Sequence, residues 1–216
     1  MKQLLQLLET YIMVLVHPFR IHQQFRHRLP LPDQNGYVYE PLTLAESIGI
    51  SWVFAILRGL LKIIILSFLL QAFLGVESVD FPFLQDLIEN SRSRAYYFLL
   101  FSAALDIIFF PITTLVMTEL WAWVIRLYSK WLNPDLPSDE ISDQITTHAL
   151  SSNLFSMVPF IGDVIGHFLY YFLLYAGIRS NLGASRSLAW VILLTPFLMG
   201  MMALSLGLFI IFYLVS

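Results

Sequence analysis

The chain has 216 residues, of which 58% are hydrophobic and only 12% charged, with a mean hydropathy of +0.73. A water-soluble domain carries about a quarter charged residues, so this composition excludes an ordinary soluble globule and points to an integral membrane protein. A net charge of −3 and a pI near 5.9 give no overall pull toward nucleic acid, and the lack of cysteine excludes disulfides, thiolate metal ligands and thiol chemistry.

Residues 3–16 place Leu4, Leu8, Tyr11 and Leu15 on one helical face, opposite Gln3, Gln6 and Thr10. The segment is too short to cross ~30 Å of hydrocarbon, and Gln6, Glu9 and His17-Pro18 do not fit a signal peptide. An amphipathic interfacial helix is expected. A second short helix starts at Pro18, a good first-turn residue, and mixes Phe19, Ile21 and Phe25 with Arg20, Arg26 and Arg28. Those three arginines are either lipid-surface contacts on anionic headgroups or a plain basic flank. Residues 1–46 are therefore read as a cytoplasmic and interfacial segment, and 47–216 as the transmembrane domain.

After a turn-rich loop, Thr43 and Glu46 form a T-x-x-E capping box that opens a first span over about 48–74. An acidic connection covers 75–95, with room for one short helix. The second span covers about 96–127, with a bend expected at Pro111. Ser138, Asp139 and Glu140 mark a further helix start. The last span, about 188–215, is the plainest.

Between them, "MVPFIGDVIGHFLYYFLLYAGI" is apolar but broken by Pro159, Gly162, Asp163, Gly166 and His167. Splitting it at 159–163 gives a third span over 139–158 and a fourth over 163–180. Positive charge in flanking loops decides the count. Five spans put Lys2, Arg20, Arg26, Arg28, Arg126, Lys130, Arg179 and Arg186 on one side against Arg92 and Arg94; four spans leave six against four. The reading is an all-α, polytopic, five-helix transmembrane bundle with the N-terminus cytoplasmic and the C-terminus outside, in the inner membrane if the source is bacterial. A re-entrant hairpin of the third and fourth helices gives the same charge count. The third helix is polar, carrying His148 and Asn153 among serines and threonines, and must be shielded by its neighbours.

Charges inside spans cost roughly 2.5–3.5 kcal/mol each at the bilayer centre, so Arg58, Lys62, Asp106 and Glu119 draw attention. Arg58 and Lys62 share a face of the first span, and Asp106 lies at a matching depth in the second, so Asp106 is expected to pair with Lys62, Arg58 or both. Such a cluster either docks two helices or lines a polar pathway. Glu119 stands nearer the cytoplasm, within reach of Arg58 or water. Asp163 reads first as the N-cap of the fourth helix with His167, one turn on, as its local partner; a metal or proton-sensitive site is the sharper alternative. Gly162 and Gly166 form a close-packing or self-association face, and the hydroxyls of Tyr170, Tyr171 and Tyr175 need partners if buried.

The order of these parts, with "HPF" near the N-terminus and a Pro/Gly turn joining the third and fourth helices, resembles the Yip1 domain family. Pro159, Gly162 and Gly177 match that family's turn and small-residue helix end. The resemblance implies five closely spaced spans and no catalytic residues; eukaryotic members are associated with early secretory membranes and Rab GTPases, but this chain lacks their long hydrophilic N-terminal region. The expectation is a non-catalytic protein, without cofactor or metal, acting through helix packing, lipid and protein partners, a second copy among them. The alternative is a small transporter or channel lined by Arg58, Lys62, Asp106, Glu119 and the polar third helix, with an ion or small molecule as substrate.

Overall fold

A computed structural model describes residues 2–27, 39–74, 82–158 and 161–215. Among them are seven α-helices and no strand: α1 (Lys2–Val16), α2 (Pro18–His27), α3 (Leu44–Leu74), α4 (Pro82–Leu132), α5 (Ser138–Ala149), α6 (Ile161–Ser180) and α7 (Arg186–Val215). A 3-10 helix, Leu150–Met157, continues α5. Four of these helices, α3, α4, α6 and α7, are long and apolar enough to cross a membrane.

Each element starts for a local reason. Thr43 and Glu46 close the expected capping box on α3: Thr43 N–H donates to Glu46 Oε2 at 2.8 Å, and Glu46 N–H to Thr43 Oγ1 at 3.3 Å. Pro82 sits at the first position of α4, where its missing N–H costs nothing. The helix then continues through 96 and past Pro111 to Leu132. Residues 82–95 are thus part of α4 rather than a separate short helix in an acidic connection, because no Gly or Pro separates them from the apolar run. α6 ends in a turn at Gly183, whose φ of 74° favours glycine.

The buried core lies toward one end of the bundle. Val14, Ile21 and Phe25 of α1 and α2 meet Trp121 and Ile125 of α4, Ile141 and Ile145 of α5, Leu174 and Ile178 of α6 and Ile192 of α7. Away from it, large apolar side chains stand outward, such as Phe68, Phe98, Phe168, Phe209 and Phe212. That is the pattern of helices whose outer faces meet lipid rather than water.

α1 sorts in part as expected: Tyr11 is buried and Leu15 packs against the core, but Thr10 is buried as well, while Leu5, Ile12 and Val16 face outward together with Gln6 and Glu9. α2 inserts Ile21, His22, Gln24 and Phe25 into the core, and Phe19 packs edge-on against Phe172 and Tyr175.

The polar helix α5 and its 3-10 extension form the centre of the bundle. Ser142, Thr146, Thr147, His148, Ser151 and Ser152 are almost fully buried. Ser142 and Thr146 survive burial by donating to their own helix: Ser142 Oγ to Asp139 O at 2.9 Å and Thr146 Oγ1 to Ser142 O at 3.0 Å. The change from α to 3-10 comes at Leu150, whose carbonyl accepts the Tyr11 hydroxyl at 2.5 Å. Ser51 joins this contact, 2.9 Å from the same hydroxyl.

The hairpin made by α5, the 3-10 helix and α6 turns back part-way along α3. Arg58, where the first turn of α6 meets α3, lies about 21 Å beyond Leu44 at ~1.5 Å per residue, and α3 continues about 24 Å further.

Candidate functional site

Arg58 of α3 donates to Asp163 of α6, with Nη1 2.5 Å from Oδ1. Asp163 stands in the first turn of α6 rather than at its cap, and its side chain reaches across to Arg58. It remains next to unsatisfied N–H groups and the positive end of the helix dipole, but its partner is a cation on another helix. His167 does not meet the carboxylate either. Its Nδ1 lies 2.6 Å from the backbone carbonyl of Asp163, so the N–H there donates to the helix and Nε2 is left as an acceptor.

Lys62 Nζ is 3.7 Å from Asp106 Oδ2. The two cations that share a face of α3 therefore divide their partners: Lys62 turns to α4 and Arg58 to α6. Glu119 reaches neither; it is exposed on α4 and makes no ion pair among the described residues.

The Arg58–Asp163 pair borders a cavity of about 300 Å³ between α4, α6 and the 3-10 helix. Thr114 and Thr118 of α4, Ser152 and Asn153 of the 3-10 helix, and His167 and Tyr170 of α6 give it its polar lining; Phe110, Met117, Leu150 and Tyr171 give the apolar part. The Tyr170 hydroxyl is buried and has no hydrogen-bond partner among the described residues. Such a group costs about 1–3 kcal/mol when left unpaired, so it is a donor awaiting an acceptor.

Gly162 lets the hairpin close around this space: a methyl group there would run into the carbonyl of Phe155, whereas one on Gly166 would make an ordinary contact 3.5 Å from that of Ser152. Their G-x-x-x-G face is thus used within the chain, against the 3-10 helix.

The remaining sequence candidates lie elsewhere. His148 is buried on the far side of the hairpin, where its Nε2 accepts the Leu42 N–H at 3.1 Å and Nδ1 sits 2.5 Å from Gln144 O. Both nitrogens are occupied, and the ring pins the chain where it enters α3. His148 and His167 do not meet. No group of three or more His, Asp or Glu side chains suited to a metal is present among the described residues. Arg26 covers Gly183, whose missing side chain makes room for the guanidinium; Arg20 is exposed, and Arg28 and Pro159 lie outside the described residues.

Asp163 and His167 are visible in sequence as polar interruptions of an apolar helix, and Asn153 as part of the polar third helix. Ser152 belongs to the polar third helix that the sequence shows, whereas Thr114 and Thr118 give no comparable signal for a site, because hydroxyl residues that bond their own helix are common in spans. No family model, curated protein or solved structure matches this chain.

Proposed function

We propose that this chain is a non-catalytic integral membrane protein, organised like the Yip1 domain proteins, that holds a small ligand in the cavity between α4, α6 and the 3-10 helix. The observation that carries this reading is the Arg58–Asp163 ion pair beside the unpartnered Tyr170 hydroxyl, in a cavity of ligand size. Charges are costly in a bilayer, and those placed around a space rather than in a dry contact favour binding over simple helix docking.

The polar pathway of the transporter reading is supported only in part. Arg58 and the polar third helix line the cavity, whereas Lys62, Asp106 and Glu119 do not. The Lys62–Asp106 pair is better read as a lock between α3 and α4.

In this reading α3, α4 and α7 cross the bilayer fully, while α5, the 3-10 helix and α6 form a re-entrant hairpin entering from the cytoplasmic side. The mid-helix meeting of Asp163 with Arg58 supports it, and it keeps the eight-to-two charge bias with the N-terminus inside and the C-terminus outside.

Native mass spectrometry of the protein released in its own lipids tests the binding reading. A small amphiphile should co-purify with the wild type and be lost from Thr114→Phe, which fills the cavity. An empty wild-type protein, or unchanged retention in the filled variant, contradicts it.

A further inference from the structure

The ligand's chemistry follows from where the cavity opens and what charges it already contains. Thr113 and Met117 on α4 and His167 and Tyr171 on α6 line the cavity and are also exposed. They form its rim, between two helices whose adjacent surface is strongly apolar: Ile112, Val116, Val164 and Phe168 are 57 to 74% exposed. The mouth therefore faces sideways into hydrocarbon. A ligand arriving that way must be soluble in the bilayer and uncharged as it enters.

Among the described residues that line the cavity, Arg58 is the one permanent cation, and its partner Asp163 makes the site neutral overall. The groups facing Asp163 are few. Arg58 comes from α3, and His167, Tyr170 and Tyr171 come from its own helix. The only polar side-chain groups that α4 supplies are hydroxyls, and the 3-10 helix supplies hydroxyls and the Asn153 amide. Lys62 and Asp106, the next charges on α3 and α4, are paired with each other.

Resting on the cavity reading above, we propose that the site takes the carboxyl head of a single-chain fatty acid from the bilayer. The acid enters protonated and neutral. Its O–H bond breaks as its proton passes to the Asp163 carboxylate, forming the O–H bond there, and the new ligand carboxylate takes over Arg58. The site holds one positive and one negative charge before and after, so no net charge enters the membrane. Guanidinium is suited to the task because its planar fork binds a carboxylate through two N–H groups. The Tyr170 O–H donates to one of the remaining carboxylate lone pairs, which gives that buried hydroxyl its missing partner. The acyl chain leaves through the mouth between Met117 and Tyr171.

The test uses full-length protein in detergent, with radiolabelled hexadecanoic acid and unlabelled competitors. Hexadecanoic acid should displace the label at least tenfold better than hexadecanol or methyl hexadecanoate, and acetate should not displace it. The double variant R58Q/D163N, which removes both charges and leaves neither stranded, should bind the acid at least tenfold more weakly. Asp163→Asn, which removes the proton acceptor and leaves Arg58, should change the pH dependence of binding relative to the wild type; an identical pH profile would overturn the proton transfer. Equal displacement by alcohol or ester, wild-type affinity in the double variant, or better displacement by a single-chain phosphate would each overturn the carboxylic acid assignment. An Asn153→Cys probe separates the two levels of the argument. Protection from a thiol reagent by hexadecanol as well as by the acid leaves the cavity reading standing and removes this inference; no protection by any of these amphiphiles removes both.

Discussion

The indole N–H of Trp52 on α3 donates to the carbonyl of Ile107 on α4 at 2.9 Å. That carbonyl is four residues before Pro111, so it is the one deprived of its helical N–H partner by the proline. The sequence explains why a bend is expected at Pro111, and the neighbouring helix supplies the missing donor. Gly59 packs against the Ile107 side chain at the same level, so α3 and α4 are matched there by both shape and hydrogen bonding.

Trp52→Phe should destabilise the protein by about 1 kcal/mol, the usual worth of one such bond, measured by unfolding in mixed micelles. In a Pro111→Ala background, where the restored backbone N–H at that position can serve the Ile107 carbonyl, the penalty should fall to near zero. An equal penalty in both backgrounds would show that Trp52 acts by packing alone.

Arg58 and Asp163 should be strongly coupled. Arg58→Gln and Asp163→Asn each strand a charge, whereas the double variant strands none. The double variant should be more stable than the sum of the singles predicts by about 1–3 kcal/mol, in the same unfolding assay. Additive effects would mean that the pair contributes no mutual stabilisation.

The re-entrant hairpin makes a labelling prediction, convenient in a chain without cysteine. On the proposed topology the hairpin tip ends within the hydrocarbon, so Ile161→Cys should resist membrane-impermeant thiol reagents from both sides. Asp135→Cys and Ser187→Cys, both at exposed positions, should both label from the cytoplasm. Labelling of residue 161 from outside would instead establish five complete spans; labelling from the cytoplasm would exclude both topologies.

His22 should make the protein acid-sensitive. Its ring is fully buried on α2, neither nitrogen has a partner among the described residues, and it lies 5.8 Å from the His148 ring. Burial first, and His148 second, lower its pKa from 6.5 to about 3. The unfolded state therefore binds the proton more readily, and the stability gained from keeping His22 neutral is present above about pH 6.5 and lost as pH falls toward 3. Between those two values the loss approaches about 1.4 kcal/mol per pH unit. His22→Phe should flatten the fall in Tm between about pH 6.5 and 4.5; an unchanged slope would assign the acid sensitivity to other groups.

Composition and apolar run length were enough to determine an all-helical membrane protein, because a chain in lipid must satisfy its backbone within helices and bury little charge. The start of α3 was legible for a local reason, a cap that uses residues three apart. The sequence also marked Arg58, Asp106, Asp163 and His167 as costly intruders in apolar segments, and matching depths favoured a partner for Asp106.

What the sequence left open were choices between partners on different helices. Arg58 was equally well placed for Asp106, and only the docking of the hairpin tip against α3 gives it Asp163 instead. Asp163 carried the local signature of a cap, yet its carboxylate is drawn across the bundle by a charge 105 residues away. The cavity, too, is a tertiary product, since its hydroxyls come from three elements and Tyr170, without a partner among the described residues, stands where they meet. Periodicity and propensity act within a few turns of chain; the pairing of buried charges is decided by which surfaces the folded bundle brings together.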